Sequence, residues 1–416
     1  MRIIEGSENQ RIPIKAWISD DLEEGSLRQA LNLASLPWAF SHIALMPDVH
    51  EGYGMPIGGV LAAQGVVLPN AVGVDIGCGV STAVLDLPAQ ALTDQNHRSS
   101  GDKAVKEIVS RIMREIPVGF NHRKEPYSVD LTSIRIGGTV EEKVYSLSDL
   151  SNVGGLHREL ESAPYQAATL GGGNHFIEIQ REVNTGESVV MVHSGSRNFG
   201  LKVAKVFNDL AKKNAKHYGS RVPSSFQLDY LPVDDELGHQ YLLWMNLALS
   251  FAEQSRRGML EICLGIVSDV LGYDVSVKEQ VQCHHNYASL EEHFGEDVVV
   301  HRKGAVRADV GELVAIPGAM GGISYIAEGL GNSDSFLSAS HGAGRRMSRK
   351  EARSKFTVQE MERQLADSGV ILGTKKVSSV LDEHIGAYKD IDEVMDQQKD
   401  LVRVARKLQC IAVVKG

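Results

Sequence analysis

The sequence predicts an α+β fold. Strand-like apolar runs and helical periodicities mix along the chain without the regular βαβ alternation of a doubly wound sheet. The 416 residues are 43% hydrophobic and 23% charged, the profile of a soluble globular protein with length enough for a large core. The 41 glycines cluster in turns beside His, Asp and Cys, which suggests backbone lying close to a ligand rather than flexible linkers.

In chain order, residues 25–36 have helical periodicity. Residues 42–46, 59–69 and 81–87 are apolar runs bounded by Gly-rich turns and read as strands. Residues 102–116 form an amphipathic helix, with Val105, Ile108, Ile112 and Ile116 on one face. Residues 117–168 are polar and mixed and carry no assignment. Strands follow at 176–179 and 188–193, then a helix at 201–218. Residues 234–271 read as one or two long helices, with a break near Gly258. Strands return at 298–301, 313–316, 324–326 and 336–340; helices at 357–366 and 391–408 precede a last strand at 411–414. No repeat, low-complexity segment or clear linker interrupts this series. Length alone suggests two or three domains.

The net charge of −10 makes non-specific nucleic-acid binding unfavourable, because phosphate binding relies on Lys and Arg. An RNA or DNA substrate would need a local basic surface or bound cations. Residues 340–355 offer one such surface, with Arg345, Arg346, Arg349, Lys350, Arg353 and Lys355 against Glu351; a solvated helix face is the plainer reading. The four cysteines, Cys78, Cys263, Cys283 and Cys410, form no CxxC pair, and the N-terminus carries no signal-peptide pattern. A reduced, cytoplasmic protein is expected, with no apolar run near the roughly 20 residues of a membrane span.

Five segments share one design, a short apolar run ending in a Gly-rich turn that holds metal-ligand side chains. They are MPDVHEGYG with Asp48 and His50, VGVDIGCG with Asp75 and Cys78, GGGNHFIE with Asn174, His175 and Glu178, VHSGSRNFG with His193 and Arg197, and CHHNY with His284 and His285. A sixth, SHGAGRRMSR, contains His341. Each alone is better explained as structure: a hydrogen-bonded histidine at a strand end, or a small buried cysteine. Together they gather one thiol, one carboxylate and three imidazoles at strand ends, more than a structural core collects. A thiolate bridging two cations, with imidazoles and a carboxylate completing each shell, suits Zn, Mn or Co better than oxygen-loving Mg. No HExxH or four-cysteine pattern is present.

These segments, with the final VVKG, closely resemble the RtcB family of RNA ligases from about Pro13 to Gly416. The resemblance implies an enzyme that joins RNA ends using GTP and two Mn ions. It implies Asp75, Cys78, His175, His193 and His285 as metal ligands, with Cys78 bridging. His285 is preferred to His284 because the family ligand directly precedes the Asn. His341 resembles the histidine that becomes guanylylated. Asn174, Glu178, Arg197, Gly342, Ala343, Gly344, Arg345 and Lys415 fall where the family contacts nucleotide, triphosphate or RNA end. Asp48 resembles a carboxylate near the RNA termini. PGAMG carries Ala319 where the family commonly has Ser or Thr, which removes one hydroxyl contact to the nucleotide.

The implied reaction passes GMP from GTP to His341, then to an RNA 3′-phosphate, from which a 5′-hydroxyl displaces it. A 2′,3′-cyclic phosphate is first hydrolysed. The implied partners are GTP and RNA with these ends, with no membrane; a requirement for an activating protein is open. Because the implied residues run from Asp48 to Lys415, the length-based expectation gives way to one interlaced catalytic domain over residues 1–416. Two rival classes remain: a metal-dependent phosphodiesterase or hydrolase of the same fold, and a non-catalytic RNA-binding paralogue. His341 in its full motif and Lys415 argue against the first; intact metal ligands argue against the second.

Overall fold

The computed structural model describes residues 1–19, 22–93 and 102–416. It is an α+β structure built on two sheets that share a core. The smaller sheet has six strands in the order Arg2–Ile4, Ile14–Ala16, Ala39–Tyr53, Met55–Ala63, Glu296–Lys303 and Asn286–His293. The larger runs Val277–His284, Gly79–Pro88, Glu187–Ser194, Phe176–Glu182, Val402–Lys415, Ile323–Gly329 and Leu313–Ile316, with Ile371–Gly373 joined to Val402–Lys415.

The period-2 alternation of each strand assigns its two faces. In the smaller sheet Ala44 and Met46 face the core between the sheets, whereas Ile43 and Leu45 face the helix Glu24–Ala34. In the larger sheet Val189 and Met191 face that shared core, whereas Val190 and Val192 face the helices Lys103–Glu115 and Glu236–Leu271. Burial of both faces explains why these strands read as continuous apolar runs.

Two expectations need correction, and two regions without an assignment are filled in. Glu236–Leu271 is one unbroken helix of 36 residues. Gly258 does not break it; it makes room for the Tyr127 ring, which a Cβ would meet at 2.7 Å. The helix expected at 391–408 ends at Gln397, and Val402–Lys415 is a strand. Its first half has the charge pattern of a helix surface, but Ile323–Gly329 pairs with that half and Phe176–Glu182 with the half that follows, so the whole length is held extended. The unassigned stretch 117–168 holds a hairpin, Ser133–Ile136 with Lys143–Ser146, and the helix Leu156–Gln166. Two strands flanking CHHNY, Val277–His284 and Asn286–His293, were not foreseen. Among the described residues no helix is long and apolar enough to cross a membrane.

The smaller sheet contains a buried ion pair, Arg302 to Glu291, at 2.5 and 3.0 Å. Burial alone would raise the Glu291 carboxyl. The Arg302 charge and hydrogen bonds from His293, Arg302 and Ser289 outweigh it and hold the group well below the usual carboxylate range. Removing one partner leaves the other charge buried and unpaired. Arg302→Ala is therefore expected to destabilise the protein by about 3–5 kcal/mol, read as a lower urea midpoint at unchanged slope. A shift under about 1 kcal/mol would mean that water reaches Glu291.

Candidate metal centre and nucleophile

The topology explains how distant segments meet. Neighbouring strands at one end of the larger sheet are antiparallel, so chain starts and chain ends alternate along a single edge. His284 pairs with Gly79, Ser194 with Gly79, His193 with Phe176, and Lys415 with Phe176. That edge therefore collects Cys78 just before one strand, His193 near the end of the next, His175 just before a third, Lys415 at the end of a fourth, and His285 just after a fifth.

Five side chains able to ligate a metal ion converge there. Cys78 Sγ lies 3.3 Å from His193 Nε2 and 3.5 Å from His175 Nε2. His193 Nε2 is 3.1 Å from His285 Nε2, and His175 Nε2 is 2.9 Å from Asp75 Oδ2. The atoms form two groups suited to a cation, Cys78–His193–His285 and Asp75–Cys78–His175, which share the Cys78 sulfur.

The outer ring nitrogens decide what the inner ones offer. His193 Nδ1 faces the Asn174 carbonyl at 3.2 Å, and His285 Nδ1 faces Asn286 Oδ1 at 3.4 Å. Those oxygens accept, so each Nδ1 carries the proton and each Nε2 presents a bare lone pair. Burial, reinforced by neighbouring cationic groups, pushes both imidazoles well below their ordinary pKa, so they are neutral at pH 7. Two lone pairs 3.1 Å apart repel unless a cation lies between them. His175 repeats the arrangement: Nδ1 lies 3.0 Å from the Leu170 carbonyl while Nε2 faces the Asp75 carboxylate, a contact that needs a proton or a metal ion between the two. Burial and then Asp75 push the Cys78 thiol well up, so a bound cation is what makes it a thiolate here. The donor set fits soft or borderline divalent ions.

His284 is placed differently from its neighbour. Its ring turns away to Arg256, with Nδ1 3.1 Å from the guanidinium, and to Glu253. Successive residues of extended chain point to opposite sides, so only His285 joins the cluster.

His341 follows the strand Ser338–Ser340 and enters from the opposite side, its ring centroid 4.6 Å from that of His285. Asp48, fully buried in the strand Ala39–Tyr53, places Oδ2 2.7 Å from His341 Nδ1 and 3.1 Å from the His341 backbone nitrogen. The carboxylate only accepts, so Nδ1 carries the proton and Nε2 is left with a free lone pair. Asp48 Oδ1 is buried with no hydrogen-bond partner among the described residues. Gly344 has φ +72° and lies against the Asp48 backbone, where a side chain would collide.

A cleft beside this pair is lined by Asn174, Phe176, Gly342, Ala343, Gly344, Arg345 and Lys415. Lys415 is nearly fully buried, with Nζ 2.8 Å from Glu383 Oε2. Arg345 is held by Glu383 at 3.3 Å, the Tyr388 hydroxyl at 3.0 Å and the Asp382 carbonyl at 2.7 Å. Glu178 is buried one pleat beyond Phe176, with its carboxylate 2.7 Å from Gln180 Nε2, and burial pushes it up to about 7. Arg197 lies behind the ligands, 3.3 Å from His175 Nδ1, with the left-handed backbone φ +56° that a non-glycine residue adopts only under local constraint. Ala319 is in the turn closed by Gly322 N to Ala319 O, next to Gly318 and Met320, which do line the cleft.

Part of the basic segment is paired with acidic groups. Arg349 and Arg353 reach Asp382 at 2.7 and 3.1 Å, and Arg345 reaches Glu383. These carboxylates, with Tyr388, organise one wall of the cleft. No motif spacing announces them, because Asp382 and Glu383 end one 3-10 turn and Tyr388 follows the next, in a stretch of ordinary composition.

A sequence model of the family described as tRNA-splicing ligase RtcB matches residues 29–416. The RNA-splicing ligase RtcB of Escherichia coli (strain K12) is 37% identical over 417 residues, covering 98% of each chain. The RNA-splicing ligase RtcB of Mycobacterium tuberculosis is 32% identical over 442 residues, covering 93% of this chain and all of the relative. The tRNA-splicing ligase RtcB of Thermococcus kodakarensis is 30% identical over 472 residues, with 98% and 96% covered. The matched length, and the likeness along nearly the whole of each relative, place this chain in the RtcB family.

Proposed function

We propose that the protein is an RNA ligase that joins RNA 3′-phosphate or 2′,3′-cyclic phosphate ends to 5′-hydroxyl ends, using GTP and two Mn ions, with residues 1–416 acting as one catalytic domain in the cytoplasm. The observation that carries this reading is the His341–Asp48 pair set against the thiol-centred ligand cluster, with ring centroids of His341 and His285 4.6 Å apart. A hydrolase using the same cations has no need of a nucleophilic imidazole beside them.

In the proposed first step Nε2 of His341 attacks the α-phosphorus of GTP. A P–N bond forms and the bond to pyrophosphate breaks. Asp48 holds the ring in the tautomer with Nε2 free and stabilises the positive charge that develops on it. The ions, held by Asp75, Cys78, His175, His193 and His285, would neutralise phosphate charge and orient the leaving group. Backbone of Gly342, Ala343 and Gly344 lies close enough to the nucleophile to meet phosphate oxygens. Asn174, Glu178, Arg197, Arg345 and Lys415 are the proposed contacts to nucleotide or RNA end. An RNA 3′-phosphate oxygen then takes the GMP from His341, and attack by the 5′-hydroxyl expels GMP.

Intact-mass analysis after incubation with GTP and Mn, followed by addition of RNA with the stated ends, tests the reading. Addition of one GMP and its discharge into joined RNA is the expected result. A folded, metal-loaded protein that never acquires GMP would turn the assignment to a phosphodiesterase.

Asp48→Asn separates orientation from metal binding. The amide can donate to Nδ1 and so favour the tautomer with Nε2 protonated. GMP attachment in a single turnover is expected to slow by about 10²–10⁴-fold at unchanged metal content. Attachment at the wild-type rate would mean that Asp48 does not set the His341 tautomer.

A further inference from the structure

Arg256 lies within the helix Glu236–Leu271 and is completely buried, yet it forms no ion pair with a carboxylate among the described residues. One terminal nitrogen donates to the Gly77 carbonyl at 2.7 Å and the Ser194 carbonyl at 3.0 Å. The other donates to His284 Nδ1 at 3.1 Å. Because Arg256 only donates, that Nδ1 accepts, and the His284 Nε2 proton faces Glu253 at 3.7 Å. Burying a guanidinium without a carboxylate is costly, and an apolar side chain would fill the same place without that cost.

What the fork holds explains its presence. Gly77 precedes Cys78, Ser194 follows His193, and His284 precedes His285. Cys78, His193 and His285 together are one of the two cation groups. The second group shares only Cys78 with this set; Asp75 and His175 are not adjacent to any acceptor of Arg256. A planar guanidinium is suited to the task, since its donors diverge at fixed angles, whereas an ammonium is a single point.

We infer that Arg256 is a positioning residue for the metal centre, tying the three segments that carry Cys78, His193 and His285, through the Gly77 and Ser194 carbonyls and the His284 ring, at the spacing one cation requires. It touches neither substrate nor ion. The inference rests on the metal reading of the ligand cluster. It adds that the two cation positions depend unequally on a side chain outside the ligand set.

Calorimetric titration of the apo full-length chain with Mn²⁺, and optical titration with Co²⁺, would test this on wild type, Arg256→Met, Arg256→Lys and His284→Gln. In Arg256→Met one class of site is expected to weaken by about 10–100-fold, the range found when groups that orient metal ligands are removed, while the other changes far less. Arg256→Lys keeps the charge but cannot span the three acceptors, so it is expected to weaken the same class. His284→Gln removes one leg near the surface and is expected to have a smaller effect of the same kind. The Co²⁺ ligand-field bands of the weakened class should be lost first. Circular dichroism and the melting temperature without metal report any purely structural role. Lowered melting with both metal affinities unchanged in folded Arg256→Met or Arg256→Lys would overturn the inference, as would equal weakening of both classes. If Arg256 variants fail to fold, wild-type affinities for both ions in His284→Gln would overturn it. Wild-type protein that binds neither ion would instead remove the metal reading itself.

Discussion

Cys78→Ser is expected to bind neither cation at micromolar Mn²⁺ and to lose RNA joining by at least a thousandfold, equivalent to about 4 kcal/mol of transition-state stabilisation. The sulfur is the one atom common to both cation groups, so its loss removes a ligand from each at once. Serine cannot replace it, because an alcohol holds its proton far more tightly than a thiol and gives a poor bridge between borderline-soft ions. Folding should survive. Cys78 is buried, but the substitution changes little volume, and the cost is on the order of 1–3 kcal/mol for an imperfectly paired hydroxyl. Metal analysis of the purified variant, with circular dichroism as the control, decides the matter. Cys78→Ala distinguishes a ligand from a space-filling cysteine, since a merely packed residue would leave metal stoichiometry unchanged in both variants.

His341→Ala should keep its metal and lose everything that follows. The ring lies beside His285 but belongs to neither cation group, so metal content is expected to match wild type. Under the proposed reaction no GMP adduct forms, and joining of 3′-phosphate RNA falls below detection. The wild-type adduct should be acid-labile and alkali-stable, as a phosphoramidate is. RNA already carrying GMP on its 3′ end bypasses the missing nucleophile, and residual sealing of that substrate by His341→Ala would place the defect in the first step. Normal adduct formation in the variant would move the nucleophile elsewhere. ATP is expected to label wild type poorly if polar groups around Lys415 read the guanine edge, because they are left unpaired by the wrong base.

Much of the site is legible in the sequence. Asp75, Cys78, His175 and His193 lie in or beside Gly-rich turns next to apolar runs, and that local pattern is a property of a few adjacent residues. The α+β class was legible for the same reason, since period-2 and period-3.6 patterns are written in neighbours. What failed was decided by context. The segment 402–408 has a composition compatible with a helix surface, and it is a strand because Ile323–Gly329 pairs along it and Phe176–Glu182 takes up the chain from Leu408 onward. Gly258 looks like a helix breaker and is a packing notch for Tyr127, which lies over 130 residues away in sequence.

Residue order alone supplies the chemical groups: a thiol, a carboxylate and imidazoles beside apolar runs, a histidine in its own motif, and the lysine of VVKG. Their partners are set by the fold. Asp48 was expected near RNA ends, and the fold places it on His341 Nδ1, across 293 residues. His284 and His285 are adjacent and chemically identical, yet the direction of the strand sends one to Arg256 and the other to the cluster. Asp382, Glu383 and Arg256 carry no motif, and they organise the cleft wall and the ligand turns. The physical reason is that an antiparallel edge brings together residues according to strand order and register. Both are fixed by which apolar faces must be buried against each other, a property of the whole chain and not of any one segment.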